Sequence, residues 1–193
     1  NTYTGATFVN GGILRAGSTQ AFGPVIGSGA VPMTVNAGGE LDLDGFDNTI
    51  GPLNGDGLIT LGDGVLNIRG ATGSFSGTIS GDGGLLRNGL GIQTILGCNN
   101  DYTGATTINA STLSVDCLAD GGVASAIGAS TSDAANLTLV GGRLTYTGAS
   151  VSTDRSLTVQ SGNNYIDVSN GATTLEISGD IVGGGNLRKE GSG

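Results

Sequence analysis

The sequence has no histidine, and only seven of its 193 residues are lysine or arginine. Without histidine, serine–histidine and cysteine–histidine nucleophile systems are excluded, and the commonest proton-transfer group in enzymes is missing. Seven cationic residues against sixteen acidic ones leave a net charge of −9. Nucleic-acid binders carry a basic face, and attachment to anionic lipid also needs clustered cations. We therefore expect no nucleic-acid partner and no attachment to anionic headgroups.

Long apolar runs are also missing: no stretch of about 18 apolar residues occurs, so the sequence predicts no direct membrane insertion. Charged residues make up only 12% of the chain, about half the usual share of roughly 25%. Apolar residues still reach 37%, enough to build a core that a disordered linker would lack. Glycine supplies 39 residues, about three times its usual share of roughly 7%. The composition therefore predicts short core-forming segments that are frequently interrupted by turns.

Internal repetition is the strongest pattern in the chain. Residues 1–14 read NTYTGATFVNGGIL and residues 100–113 read NDYTGATTINASTL, with eight identical positions. The stretch SGTISGDGGL at 76–85 returns as SGDIVGGGNL at 178–187. Because the order is preserved, we interpret residues 1–193 as one segment made of two long repeat units, 1–99 and 100–193. The chain begins inside the pattern, so we expect it to be a fragment of a larger protein.

Short apolar triplets with one residue between them recur through both units, for example Leu41-Asp-Leu43, Leu66-Asn-Ile68 and Leu137-Thr-Leu139. This alternation indicates strands with one buried face. A sandwich or barrel would need strands of about 5–6 residues joined by tight hairpins. Short strands between frequent turns instead predict an all-β parallel β-helix, a solenoid of about eight or nine coils with roughly 20–25 residues each. Residues 123–129 are alanine-rich and predict a single helical turn.

The motif Asn-x-Tyr-Thr-Gly-Ala-Thr, at 1–7 and again at 100–106, resembles the autotransporter-associated β-strand repeat. A glycine-rich block at 83–91, repeated at 185–193, resembles the block that precedes this motif in the family. The chain departs from the family at Arg87, where lysine is usual, and after the block at Cys98, where a small residue is usual. Segments 21–35 and 126–139 look like its continuation. The resemblance implies a right-handed β-helix in a passenger that is exported through the C-terminal outer-membrane barrel of its parent chain. It also implies exposure on a Gram-negative cell surface.

Cys98 and Cys117 are the only cysteines and are separated by about one coil. Stacked coils place equivalent Cα atoms about 4.8 Å apart, within the range that a disulfide accepts. The alternatives are a disulfide between Cys98 and Cys117 or two small buried thiols. Two thiols without histidine fit a zinc site poorly.

Glu40, Asp42 and Asp44 alternate with leucines, so we expect all three to project from one face of a strand. Several such oxygens suit Ca²⁺, but the second unit has an arginine and two threonines at the matching positions. A solvated acidic face is the favoured interpretation. The Asp-Gly steps between residues 56 and 83 are predicted to be turns, because the tandem nonapeptide of calcium-binding repeats is absent. We predict no metal site.

Tyr3 and Asn10 recur with the motif as Tyr102 and Asn109. Side chains fixed to a repeat in this way either bind a ligand or stack on the next coil, as asparagine ladders do in cross-β packing. We favour stacking.

Three functions fit the sequence. The favoured one is a non-catalytic surface passenger segment, a structural stalk that supports adhesion or self-association, with host or bacterial surface molecules or the chain itself as partners. The first alternative is a glycan-cleaving β-helix enzyme, which would need acids clustered in a groove, whereas the sixteen acids are scattered. The second is a pure spacer without a partner. We predict no catalytic residue and no cofactor.

Overall fold

A computed structural model describes residues 1–25 and 30–193 of the chain. These residues form a solenoid of short parallel strands, and every strand pairs with strands of neighbouring coils. The predicted all-β parallel solenoid is therefore confirmed. In each complete coil the chain passes through a nine-stranded, then a four-stranded or two-stranded, then a seven-stranded sheet.

The strands are numbered along the chain. The nine-stranded sheet contains β1 (Thr7–Val9), β3 (Met33–Val35), β6 (Leu53–Gly55), β9 (Gly73–Phe75), β12 (Ile92–Ile95), β14 (Thr112–Val115), β16 (Arg143–Tyr146), β19 (Asn163–Val168) and β22 (Asn186–Glu190). The seven-stranded sheet contains β5 (Asn48–Ile50), β8 (Leu66–Arg69), β11 (Leu85–Asn88), β13 (Thr106–Asn109), β15 (Leu137–Val140), β18 (Leu157–Val159) and β21 (Ile181–Gly183).

The third side of the solenoid is interrupted. Its four-stranded sheet contains β2 (Gly12–Arg15), β4 (Gly39–Asp42), β7 (Leu58–Thr60) and β10 (Thr78–Ser80), and its two-stranded sheet contains β17 (Val151–Thr153) and β20 (Leu175–Ile177). Between β10 and β17, segments 96–105 and 116–136 pass this side without forming a strand, apart from the 3-10 turn Ala134–Asn136. The helical turn predicted for residues 123–129 is wrong, because those residues form an irregular loop.

The coils stack in register. Met33 pairs with Leu53, and Ser74 donates its amide to Asn54, 20 residues earlier, on the preceding coil. The coil that contains segment 116–136 is longer, so Thr112 pairs with Arg143. The solenoid has about seven turns, slightly fewer than the eight or nine predicted, although nine strands stack on the longest sheet.

Alternate residues of each strand point into one continuous apolar core. The inward positions of the four-stranded sheet stack as Leu41, Ile59 and Ile79, and all three are fully buried. Each such side chain contributes about 1.5–3 kcal/mol through removal from water. Outward positions carry mainly threonine, serine and asparagine. Within the described parts of the chain, no helix is long and apolar enough to cross a membrane.

Equivalent elements of the two sequence units lie on different sheets. The motif strand is β1 of the nine-stranded sheet in the first unit, but β13 of the seven-stranded sheet in the second. Likewise, the apolar residue that follows a Gly-Gly pair is Leu41 of β4, on the four-stranded sheet, in the first unit. In the second unit it is Leu144 of β16, on the nine-stranded sheet. The repeat is therefore not a whole number of coils, and a motif does not belong to a particular side.

Glycines occupy turn positions where successive coils touch. A Cβ atom on Gly83 would overlap the carbonyl oxygen of Gly64 on the coil below, and one on Gly64 would lie 2.7 Å from the carbonyl oxygen of Phe46. Because the neighbouring atoms are backbone, no side chain can move to make room. These glycines therefore set how closely coils approach at the turns.

We expect Gly83→Ala to lower the free energy of unfolding by about 1–3 kcal/mol, because the added methyl group must push two ladders apart. Gly184→Ala is the matched control, since a Cβ atom on Gly184 would have open space around it, with nothing within 4 Å, and it should change stability by less than about 0.5 kcal/mol. Urea unfolding followed by far-UV circular dichroism measures both. Equal midpoints for the two variants would contradict the role of close approach.

Candidate functional site

Tyr102, the second of the two recurring tyrosines, packs inside the solenoid. Tyr102 is fully buried, its hydroxyl lies 2.7 Å from Thr106 Oγ1, and its carbonyl accepts a hydrogen bond from Ala129 N at 2.8 Å. Burial raises the pKa of the Tyr102 phenol well above its ordinary value. Tyr3 makes the same contact with Thr7, at 2.6 Å. The tyrosine and threonine of the motif thus join one turn to the next strand in both units. Tyr102 is buried and offers no surface to a ligand, whereas Tyr3 is 36% exposed.

The asparagines of the motif differ in their surroundings. Asn36 Nδ2 donates to Asn10 Oδ1 on the adjacent coil at 2.7 Å, which is the expected asparagine ladder. Asn109 instead points outward from β13, between Asn88 and Val140 of the neighbouring strands. Of the two motif asparagines, Asn10 forms a ladder bond and Asn109 forms none among the hydrogen bonds of the described residues.

Arg155, which no sequence pattern identifies, organises segment 116–136. Arg155 is only 3% exposed, and no carboxylate group is among its hydrogen-bond acceptors. Its guanidinium group donates to four carbonyl oxygens and one hydroxyl of the segment: Ala119, Asp120, Val123, Gly128 and Ser130 Oγ. Burial lowers the pKa of Arg155, but a guanidinium remains protonated in proteins. Arg155 thus replaces, with side-chain donors, the strand pairing that this side lacks.

Cys98 and Cys117 lie across the same interruption of the third side. Their Cα atoms are 5.4 Å apart and their sulfur atoms are within bonding contact, which matches the geometry that a disulfide requires. Cys98 belongs to segment 96–105, and Cys117 begins the long loop on the next coil. We therefore propose that a disulfide ties these two coils where no strand pairing does.

The three acids at 40–44 do not form one acidic face. Glu40 Oε1 accepts a hydrogen bond from Thr60 Oγ1 at 2.8 Å, and Asp42 pairs with Arg15 at 2.7 Å. Asp44 follows β4 in the turn, where its φ is 49°. The expectation that all three project from one strand is wrong, because the strand ends at Asp42. Each strand carboxylate is already satisfied by a neighbouring coil.

The aspartates of the Asp-Gly steps make turn contacts, as predicted. Asp56 Oδ1 accepts from the amide of Ala37 at 2.8 Å, and Asp82 Oδ1 accepts from Thr103 Oγ1 at 2.9 Å. In the described residues, no three acids or cysteines are grouped so that they would hold a metal ion. The positive φ angles fall on the glycine before each aspartate, at Gly55, Gly62 and Gly81.

The seven-stranded sheet differs from the other sides in charge. None of the sixteen aspartates and glutamates lies in its strands. Its outward side chains are mostly hydroxyls and amides, in columns that run along the axis; the longest column is Thr49, Asn67, Leu86, Thr107, Thr138, Thr158 and Val182. By contrast, the four-stranded sheet carries Glu40 and Asp42, and the nine-stranded sheet carries Asp167 and Glu190.

The acids of the nine-stranded sheet belong to one ion network near its end. Arg143 Nη1 lies 3.0 Å from Asp167 and 2.7 Å from Glu190, and its guanidinium carbon stacks 4.5 Å from the centre of the Tyr165 ring. Partly exposed pairs of this kind contribute about 0–1 kcal/mol each. The network holds these side chains in place on the surface. Because its carboxylates are already paired with Arg143, they are poorly available to a charged group of a ligand.

The sequence profile of the passenger-associated-transport-repeat family matches residues 1–16 and 85–115. The chain is 53% identical over 175 residues, 86% of its length, to a protein named Adhesin BmaC autotransporter from Brucella suis biovar 1 (strain 1330). It spans only 5% of the length of that protein. No solved structure matches the chain. Residues 26–29, within the stretch 21–35 that resembles the family, lie outside the described residues.

We expect Arg155→Met to loosen segment 116–136 and to lower the free energy of unfolding by about 2–4 kcal/mol, because several buried carbonyl groups lose their donors. Hydrogen exchange should accelerate at the amides of Gly122, Ala126 and Ala129, which are bonded within or across the segment. Arg188→Met, at an exposed arginine, is the control and should change neither quantity. Unchanged exchange in Arg155→Met would exclude the proposed role.

Removal of the proposed disulfide by Cys98→Ala with Cys117→Ala should lower stability by about 3 kcal/mol, the chain-entropy value for a loop of this size. The cysteines of the denatured, unreduced protein should resist alkylation, as intact mass would show. The native chain treated with reductant is the control and should match the double variant. Two alkyl groups added without reductant would show that the cysteines are free.

Proposed function

Since the chain belongs to the autotransporter passengers that carry passenger-associated transport repeats, we propose that it is a non-catalytic structural segment of a surface adhesin. It is secreted through the outer membrane of a Gram-negative bacterium and exposed at the cell surface. The observation that carries the proposal is the continuous stacking of parallel strands along the chain. Such stacking makes a stiff rod that lengthens by about 4.8 Å per coil.

The mechanism is geometric. Each coil offers its unpaired strands to the next, so folding can proceed coil by coil as the chain leaves the membrane. The chain would be joined, in its parent protein, to a C-terminal outer-membrane barrel, and the rod would hold more distal parts away from the cell. Its side chains would meet host or bacterial surface molecules, or other copies of itself. The relative of 53% identity is named an adhesin, which supports this interpretation.

The arrangement of acids disfavours the glycan-cleaving alternative. A glycosidase needs two carboxyl groups about 5–10 Å apart across a groove. Here Glu40 and Asp42 are bonded to Thr60 and Arg15 of neighbouring coils, while Asp167 and Glu190 share Arg143. Carboxylates that are held in this way stabilise the surface of the rod and are not arranged as a catalytic pair. The spacer alternative differs only in having no partner, and the following experiment separates it.

Deletion of residues 1–193 from the parent protein, with two measurements on the same cells, tests the proposal. The first is the amount of passenger at the surface, and the second is attachment or clumping of the cells. We expect surface amount to hold and attachment to fall. The control deletes residues 53–72, which removes one coil and joins positions that are in register, since Gly55 pairs with Phe75.

The other outcomes have distinct meanings. Loss of surface amount would assign the segment to export and folding, and would contradict the adhesive part of the proposal. Unchanged values for both measurements would leave only the spacer. Equal defects in both deletions would show that the joint, not the missing segment, is responsible.

A further inference from the structure

We propose that a groove at one end of the seven-stranded sheet binds a short stretch of neutral glycan. The proposal rests on the proposed adhesive function and deepens it, since it names a class of ligand and the place that receives it. The groove has a volume of about 400 Å³, and its lining includes Thr19, Gln20, Asp47, Thr49, Asn67 and Leu86.

One wall of the groove is a loop that a buried asparagine holds in place. Asn48 is only 2% exposed. Its Oδ1 accepts a hydrogen bond from Ala21 N at 3.0 Å, and its Nδ2 donates to Ser18 O at 3.0 Å. These bonds fix the loop that carries Thr19 and Gln20 against the start of β5. The wall is therefore formed before a ligand arrives, which lowers the entropic cost of binding.

The floor of the groove consists of outward side chains from three successive strands. Thr49 of β5, Asn67 of β8 and Leu86 of β11 lie side by side in register. Two spacings between strands give this column a length of about 10 Å, which accommodates a disaccharide. Leu86 ends the column with an apolar surface, on which the C–H face of a sugar ring can pack. The other two side chains face the hydroxyl groups of the sugar.

The polar groups of the floor suit hydroxyl groups, which both donate and accept hydrogen bonds. Asn67 Oδ1 is shielded from water and has no hydrogen-bond partner among the described residues, so it lacks a donor that a buried oxygen normally has. Thr49 Oγ1 accepts from Asn67 Nδ2 at 3.3 Å, so the threonine can donate its own hydrogen to a ligand. A sugar hydroxyl group between β5 and β8 would satisfy both residues.

Charge restricts the ligand to a neutral one. Asp47 is exposed at the rim, where its Oδ1 accepts from Val65 N at 2.7 Å, and its second oxygen faces no competing cation in the groove. None of the described residues that line the groove is a lysine or arginine, and the chain as a whole carries a net charge of −9. A phosphate, sulfate or carboxylate group would therefore be repelled. A carboxylate oxygen accepts strong hydrogen bonds from neutral hydroxyl groups.

The test is a titration of the purified, isotope-labelled chain with maltose, cellobiose, lactose and N,N′-diacetylchitobiose, followed by NMR of the backbone amides. We expect at least one disaccharide to shift the amides of Thr49, Asn67 and Leu86. The dissociation constant should be about 1–10 mM, because an open groove covers less of its ligand than a closed pocket does. The amides of Thr138 and Thr158, in the same column of the sheet, should not shift.

Two substitutions remove groups of the groove, and a third is their control. Asp47→Asn keeps an oxygen for Val65 N but loses the charge, and it should weaken binding about tenfold. Asn67→Ala removes the acceptor at the floor and should weaken binding about threefold. Asn109→Ala is the matched control, because Asn109 also points outward from this sheet but lies outside the groove. Far-UV circular dichroism of all three variants establishes that they are folded.

Each outcome decides the proposal. Shifts confined to the groove, weakened by Asp47→Asn and Asn67→Ala and kept by Asn109→Ala, support it. No shift with any of the disaccharides overturns it, as do shifts that both groove variants leave unchanged. A response to putrescine alone would assign the groove to cations, and a stronger response to sialyllactose than to lactose would assign it to anionic glycans. Either result would also overturn the proposal.

The deletion described above measures cell attachment separately, so the two proposals can fail independently. A chain that binds none of the disaccharides while its deletion lowers attachment would refute this groove and leave the proposed function standing. Binding in the groove without any effect of the deletion on attachment would have the opposite meaning.

Discussion

The distance between neighbouring coils, about 4.8 Å at each hydrogen-bonded ladder, is the constraint on which the other features depend. It holds at turns as well as in strands, so backbone meets backbone wherever two turns stack. Gly64 and Gly83 lie at such points, and any Cβ there would meet a carbonyl group of the preceding coil. The large share of glycine in this chain is therefore a consequence of stacking as much as of turn conformation. Only some of the glycines, such as Gly81 with φ of 113°, are also required by a left-handed backbone.

Where the ladder is broken, the solenoid needs other donors for its carbonyl groups, and arginine supplies them. Arg155 does this in the long loop, and fully buried Arg87 does it at the turn after β11, where it donates to Ile68, Gly70 and Leu90. Burial lowers the pKa of both guanidinium groups. A buried charge without compensation would be strongly destabilising, but several carbonyl dipoles surround each cation. Arg87, in the glycine-rich block, is thus part of the backbone hydrogen-bond network.

The sequence was sufficient to predict the stacking but not the position of each motif around the axis. Alternation in triplets such as Leu66-Asn-Ile68 identifies buried strands because it depends on local geometry, and β8 lies where that pattern places it. The sheet on which a strand lies depends instead on the summed length of all preceding turns. This is why Thr7 and Thr106 occupy different sheets despite identical motifs. Arg155 was missed for a related reason: its partners are up to 36 residues away, and no local pattern connects them.

Equivalent elements of the two units lie on different sheets, which distinguishes the residues that stabilise the solenoid from those that only occupy its surface. A motif that appears on one sheet in the first unit and on another in the second can keep only contacts that every sheet offers, namely inward packing and close approach at turns. The contact of Tyr102 with Thr106 is of this kind, and Tyr3 makes the same contact with Thr7, although it is buried only in the second unit. Outward positions are freer: the motif has Phe8 on β1 but Thr107 at the equivalent position of β13, so side chains there can change without loss of the fold. The absence of acids from the strands of the seven-stranded sheet, which draw on both units, is a property of that side as a whole. Differences between the sides of the solenoid therefore arise at this level and not in the repeat itself.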